Sequence, residues 1–225
     1  MITAKAQLDL FKVIGDKLKQ RIECIAIGGT AMMLHGVKES TKDIDLVFIE
    51  KSYFKEFKKA LFEMGFDERD NIAVFKHYEM LEKSPIMMEN ERTRFDLFLK
   101  EVICFKISET MLERIEAVYE FGNLIIKVLS PEDIILLKCA TERERDRADA
   151  MELIKKFNIN WDIIIKESAH QTEIGKDVFP VLLYDFLLEL KEDMKADIPD
   201  RVIKKIRKIG EKQMIKVLKR RKVKQ

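Results

Sequence analysis

The sequence predicts an α+β fold: a small mixed β-sheet flanked by helices, followed by a helical C-terminal region. Three observations carry this. Short apolar runs, Cys24–Ile27, Leu46–Phe48 and Leu124–Leu129, have strand length. Thr3–Lys19 and the stretch after Ser52 carry apolar residues at helical spacing among those runs. From Ser130 onward helical periodicity dominates, so the chain divides into an α/β domain, residues 1–129, and a helical region, residues 130–225.

In order, Thr3–Lys19 reads as a helix through Leu8, Phe11, Val13, Ile14 and Leu18. A strand ending at Ile27 leads into Gly28-Gly29 and a short helix, Thr30–Leu34, which Gly36 ends. Ser52 is expected to cap a helix carrying Phe54, Phe57, Leu61 and Phe62, with Gly65 as its terminator. Asn71–Met80 reads as a strand and Ser84–Glu91 as a loop or irregular edge, with Met87-Met88 as filler. Arg92–Lys100 is a strand in which Arg94, Asp96 and Phe98 share a face, and Val102–Ile107 a further short strand. Glu116–Tyr119 and Leu124–Leu129 flank Gly122-Asn123, a hairpin signal. Ser130-Pro131-Glu132-Asp133 is a helix start, and helices are expected over Ile134–Cys139, Arg143–Phe157, Trp161–Ser168, Val178–Met194 and Pro199–Arg221.

An apolar content of 47% over 225 residues gives a real core and argues against disorder. No apolar run has the length of a membrane span and the N-terminus is not signal-like, so a cytoplasmic protein with no membrane partner is expected. Cys24, Cys104 and Cys139 lie far apart in apolar stretches, which suits reduced, buried thiols rather than zinc ligands or disulfides. Charge is split along the chain. Arg201–Gln225 holds twelve Lys or Arg against one acidic residue, Glu211, whereas the preceding 200 residues hold thirty against thirty-nine. Within that tail Lys204, Lys208, Lys212 and Lys216 recur every fourth residue beside Val202, Ile206, Ile209 and Val217, a stripe suited to phosphate contacts or simply to solvent.

The chemistry concentrates in Gly28–Phe48. Asp43 and Asp45 stand at i and i+2 of a strand and share a face, while Ile44 and Leu46 face the core. Two such carboxylates repel each other unless a cation lies between them, and an oxygen-only donor set suits Mg²⁺. The glycine pair lets backbone N–H groups approach a phosphate, so the stretch points to a nucleoside triphosphate. His35 reads as a packing or capping residue, and His77 and His170 have no partners at metal spacing. The charged run around Arg145, Asp146 and Asp149 reads as a solvated helix face with local ion pairs.

Gly28-Gly29, Asp43-Ile44-Asp45 and a later strand carboxylate, Asp96, resemble the nucleotidyltransferases of the DNA polymerase β superfamily. Gly36 and Thr41, with Leu129–Asp133, Lys138, Ala140, Arg145, Asp146 and Asp149 beyond them, resemble its branch of minimal nucleotidyltransferases and abortive-infection toxins. The match spans roughly residues 22–155, and Glu39 departs from the basic residue that members often carry. The resemblance implies two-metal transfer of an NMP from an NTP to a hydroxyl. Asp43, Asp45 and Asp96 would hold Mg²⁺ or Mn²⁺, with Asp96 also helping to activate the hydroxyl. Gly28, Gly29 and Thr30 would cradle the triphosphate, and Lys138 would meet it or the leaving pyrophosphate. The acceptor would be RNA such as tRNA, protein or a small molecule, within a toxin–antitoxin or defence system. The rival reading is a regulatory or nucleic-acid-binding module that keeps the fold without turnover.

Overall fold

The structure, a computed structural model, describes residues 1–69, 85–115, 117–141 and 143–223. It forms two compact units, Met1–Ile103 with Met111–Ser130, and Cys104–Thr110 with Pro131–Gln225. Unit one contains helices α1 (Ala4–Lys17), α2 (Gly28–Leu34) and α3 (Lys51–Glu63). Its strands are β1 (Ile2–Thr3), β2 (Ile22–Ala26), β3 (Ser40–Thr41), β4 (Asp43–Phe48), β5 (Asp67–Arg69), β6 (Ile86–Glu89), β7 (Arg94–Leu99), β8 (Glu101–Val102), β10 (Ala117–Phe121) and β11 (Leu124–Val128). β9 (Phe105–Lys106) belongs to unit two, and α4 (Glu109–Glu113) follows it.

Among the described residues seven strands form one mixed sheet in the order β10-β11-β2-β4-β7-β6-β5. β11·β2 and β4·β7 are parallel and the other neighbours antiparallel. Strand alternation makes this sheet two-faced. On one side Ile22, Cys24, Ile44, Leu46, Phe48, Phe95 and Leu97 are all buried. α3 covers them, with the Phe57 ring 5.2 Å from Phe48 and 5.7 Å from Phe95. α1 covers the neighbouring strands, its Phe11 ring 5.6 Å from Phe121. The residues between these, Glu23, Asp43, Asp45, Arg94, Asp96 and Glu89, all fall on the opposite face.

Several expectations are corrected. Ser84–Glu91 is not an irregular edge: Ile86–Glu89 is a strand paired on both sides, and Met87 and Met88 are core. Pairing to two neighbours overrides the weak alternation of Met, Glu and Asn there. Val102–Ile107 is not one strand but two short ones, β8 and β9, because the chain turns between them with Ile103 at φ 53°. α3 starts at Lys51 with Glu50, not Ser52, at the cap position. The strand expected over Asn71–Met80 lies outside the described residues. Cys24 and Cys139 are buried free thiols, and burial pushes both pKa values up, so both stay protonated.

Unit two is helical: α5 (Pro131–Lys138), α6 (Glu144–Lys156), α7 (Trp161–Glu173), α8 (Phe179–Glu192) and α9 (Asp200–Val223). Cys104–Thr110 groups with these helices through buried polar bonds. Gln171 on α7 accepts from the Lys106 N–H at 3.1 Å and donates to the Lys106 carbonyl at 2.9 Å, as a neighbouring strand would. The Glu167 carboxylate, 2% exposed, accepts from Ser108 Oγ, Thr110 Oγ1 and Gln171 Nε2 at 2.8, 2.6 and 2.9 Å. α9 buries Val202, Ile206, Gly210 and Gln213 against its neighbours, and Lys204, Lys208, Lys212 and Lys216 are all exposed.

Two helical glycines give opposite expectations. A Cβ on Gly15 would lie 1.6 Å from the Phe121 carbonyl oxygen, so α1 sits against β10 only because no side chain intervenes. At Gly210 the nearest atom is 3.6 Å away, an ordinary contact. Gly210→Ala is expected to stabilise the protein by about 0.5–1 kcal/mol, the helix-propensity gain. Gly15→Ala should lose that gain and a further 1–3 kcal/mol or so to overpacking. Urea denaturation of both variants checks the pair.

Candidate active site

The site is built by the register of two central strands. β4 and β7 run parallel with Asp43 opposite Arg94 and Asp45 opposite Asp96. All four side chains therefore stand on one face, and neighbouring strands are about 4.8 Å apart. Three carboxylates at that spacing would repel strongly. Arg94 lies among them. Its Nη2 is 2.7 Å from Asp43 Oδ2 and donates to Asp96 Oδ2 at 3.1 Å. Its Nε approaches Asp96 Oδ1 at 2.8 Å, an ion-pair contact without hydrogen-bond alignment. Burial on its own would make the guanidinium less basic, but Asp96, Asp43 and Asp45 outweigh it and raise its pKa above the ordinary value. Asp43 and Asp96 are largely buried side chains, while Arg94 remains 31% exposed.

α2 closes one end of this face. Gly28 opens the helix at φ 54°, and a Cβ there would lie 2.7 Å from Asp45 Oδ2. A Cβ on Gly29 would lie 2.4 Å from Thr41 Oγ1. The pair is thus required by close packing against β4 and β3, independently of any ligand. The Ile27 N–H donates to the Asp45 carbonyl at 3.2 Å, and the Asp45 N–H donates to Thr30 Oγ1 at 2.9 Å. At the other end of α2, Tyr119 Oη donates to the Leu34 carbonyl and His35 Nε2 donates to the Leu129 carbonyl, both at 2.8 Å. His35 is the C-cap residue of α2, the capping alternative of the expectation.

Two sequence assignments need correction. Thr30 is fully buried with its oxygen on the Asp45 N–H, so it fixes β4 instead of offering a hydroxyl to a triphosphate. Lys138 is neither solvent-facing nor available to a phosphate. Its ammonium, 8% exposed, donates to Asp146 Oδ1 at 2.7 Å and Asp149 Oδ2 at 2.6 Å. Those two carboxylates are correspondingly buried, not part of a solvated helix face, and Asp146 also accepts from Thr141. The residue that sequence reasoning left without a role is Arg94. Its shared face with Asp96 was visible, but its place opposite Asp43 depends on register.

Among the described residues no group of three or more His, Cys, Asp or Glu side chains has the geometry of a metal site. The donor chemistry of Asp43, Asp45 and Asp96 nevertheless fits a hard divalent ion, and the place between the carboxylates is one that holds a cation, here a guanidinium. Beyond Asp45 on the same face, Val47 and Ile25 line a cavity of about 310 Å³ with Glu23, Glu50, Tyr53 and Lys127. Two of its lining residues, Lys127 and Glu23, pair at 2.6 Å. No helix among the described residues is long and apolar enough to cross a membrane.

Comparison with known proteins gives one family. Residues 5–184 match the family described as "Nucleotidyltransferase of unknown function (DUF6036)". No curated protein matches the chain. Among solved structures, the crystal structure of ANT(2")-Ia in complex with adenylyl-2"-tobramycin is similar at 14% identity, over 81% of this chain and 96% of that one, with a TM-score of 0.45.

The buried Lys138 group predicts a stability effect rather than a ligand effect. Lys138→Met leaves Asp146 and Asp149 buried without their cation, at a cost of about 3–5 kcal/mol. Replacing all three by Met, Asn and Asn should recover most of that loss. Urea denaturation reads both, and nucleotide affinity of the folded Lys138→Met protein should be unchanged.

Proposed function

The chain belongs to this nucleotidyltransferase family, and on that premise we propose that Asp43, Asp45 and Asp96 are the carboxylates of its transfer site. The observation that carries the reading is their convergence on one sheet face about a single cation position. They would hold Mg²⁺ or Mn²⁺, which when bound supplies positive charge to the attacking and leaving oxygens. A hydroxyl oxygen forms its bond to the α-phosphorus as the bond from that phosphorus to the bridging oxygen breaks. Pyrophosphate leaves, and Asp96 receives the hydroxyl proton. Gly28 carries no side chain against Asp45 Oδ2, and with Gly29 beside it would let a triphosphate lie close to the backbone there.

The acceptor is the finer question. The cavity beyond Asp45 gives a small hydroxyl-bearing molecule room on the same face, since Val47 lies two residues, about 7 Å, along the strand. The exposed stripe Lys204, Lys208, Lys212 and Lys216 instead favours RNA held through its phosphates. A role in a toxin–antitoxin or defence system belongs with that second acceptor.

Incubation with each α-labelled NTP, Mg²⁺ and, separately, total RNA, protein and small-metabolite fractions identifies what acquires label. Asp45→Asn should lower transfer at least about a hundredfold, the scale of removing one electrostatic stabiliser of the transition state. Its circular dichroism should be unchanged. Labelling that survives Asp45→Asn overturns the assignment.

The RNA arm has its own measurement. Truncating α9 would strip Val202 and Ile206 from the core, so charge reversal is the cleaner change. Replacing Lys204, Lys208, Lys212 and Lys216 by Glu should weaken tRNA binding and flatten its dependence on salt, leaving NTP affinity intact. Equal salt slopes for the variant and the wild type assign the acceptor to protein or a small molecule.

A further inference from the structure

We propose that Arg94 is a resident cation that a divalent ion must displace, and that the displaced guanidinium passes from the carboxylates to the incoming triphosphate. The proposal rests on Asp43, Asp45 and Asp96 being the metal-binding carboxylates. It goes beyond that reading by making metal and nucleotide bind as a coupled pair.

The first support is geometric. One guanidinium touches Asp43 Oδ2 at 2.7 Å and both Asp96 oxygens, Oδ1 at 2.8 Å and Oδ2 at 3.1 Å. A Mg²⁺ ion needs such oxygens at about 2.0–2.1 Å in near-octahedral array, so the ion and the guanidinium cannot share them. The second support is electrostatic. Arg94 neutralises one charge among three carboxylates, Asp43, Asp45 and Asp96, each of which favours the charged guanidinium. A divalent ion in the same place neutralises two, but it must also expel a cation that remains positively charged and close by. The third support is the way out. The Arg94 side chain is 31% exposed against 18% for Asp43 and 14% for Asp96, and it is the longer, so the Arg94 stem is the part that swings. A triphosphate on the same face offers the released fork a bidentate anion.

Metal alone therefore meets a competitor, and metal arriving with nucleotide does not. By linkage each ligand strengthens the other, and couplings of this kind typically span about 5–150-fold. Removing Arg94 should have opposite effects on the two ligands. Without nucleotide, Arg94→Gln should bind Mn²⁺ at least about tenfold more tightly than wild type, read by the electron paramagnetic resonance signal of free Mn²⁺. At saturating Mn²⁺ the same variant should bind the α,β-methylene NTPs about tenfold more weakly. A residue that merely shapes the carboxylates would weaken both.

Arg94→Lys keeps a charge but reaches one carboxylate instead of two, and should fall between wild type and Arg94→Gln for Mn²⁺. It decides the matter if Arg94→Gln does not fold without metal. Mn²⁺ affinity that is unchanged or lower in both variants overturns the proposal while leaving the transfer site intact. Mn²⁺ bound by none of the proteins, with nucleotide or without, removes the metal reading and this proposal together.

Discussion

The parallel pairing of β4 with β7, Asp45 opposite Asp96, is the constraint on which this site depends. A shift of one residue would turn Asp96 and Arg94 into the aromatic core under α3 and bring Phe95 out beside Asp45. What prevents the shift is on the reverse side of the same strands. Ile44, Leu46, Phe48, Phe95 and Leu97 interlock beneath Phe57, so the hydrophobic face locks the register and the charged face inherits it. The site is in this sense a by-product of packing. α2 is then drawn onto β4 by the Ile27 and Thr30 bonds to Asp45, which only glycine at 28 and 29 permits.

The sequence made half of this legible. Asp43 and Asp45 follow from a strand period of two, and Arg94 and Asp96 share a face by the same rule. What joins the two pairs is a contact between strands half a hundred residues apart, and no local period reports it. The buried strand at Ile86–Glu89 was hidden for a related reason: its residues form a strand because they have partners on both sides. Lys138 shows the reverse failure. Its partners lie eight and eleven residues on, across the turn between α5 and α6, so spacing along a single helix could not reveal them. The run of charged residues there was visible, yet Lys138, Asp146 and Asp149 neutralise one another inside the helical unit.

Both units keep buried charge, and in each case it is compensated locally. Lys138 lies between two aspartates, Glu167 accepts three hydrogen bonds, and Arg94 lies among three carboxylates. The first two groups are closed off from solvent, and breaking them exposes a buried charge to an apolar interior. The third is open to solvent on its arginine side. That difference separates a group built to stay together from one that has somewhere to go.

The order in which the chain leaves the ribosome gives the Cys104–Thr110 segment an unusual history. It is made before β10 and β11, which complete the sheet of unit one, yet its hydrogen-bonding partners lie 57–65 residues downstream on α7. While those residues are still inside the exit tunnel, Ser108, Thr110 and the Lys106 backbone must remain hydrated. The sheet can close over its own core in that interval, but the helical unit cannot assemble until α7 emerges to capture a strand already synthesised. Nascent chains stalled before Glu167 therefore lack the carboxylate that accepts from Ser108 and Thr110 in the finished fold.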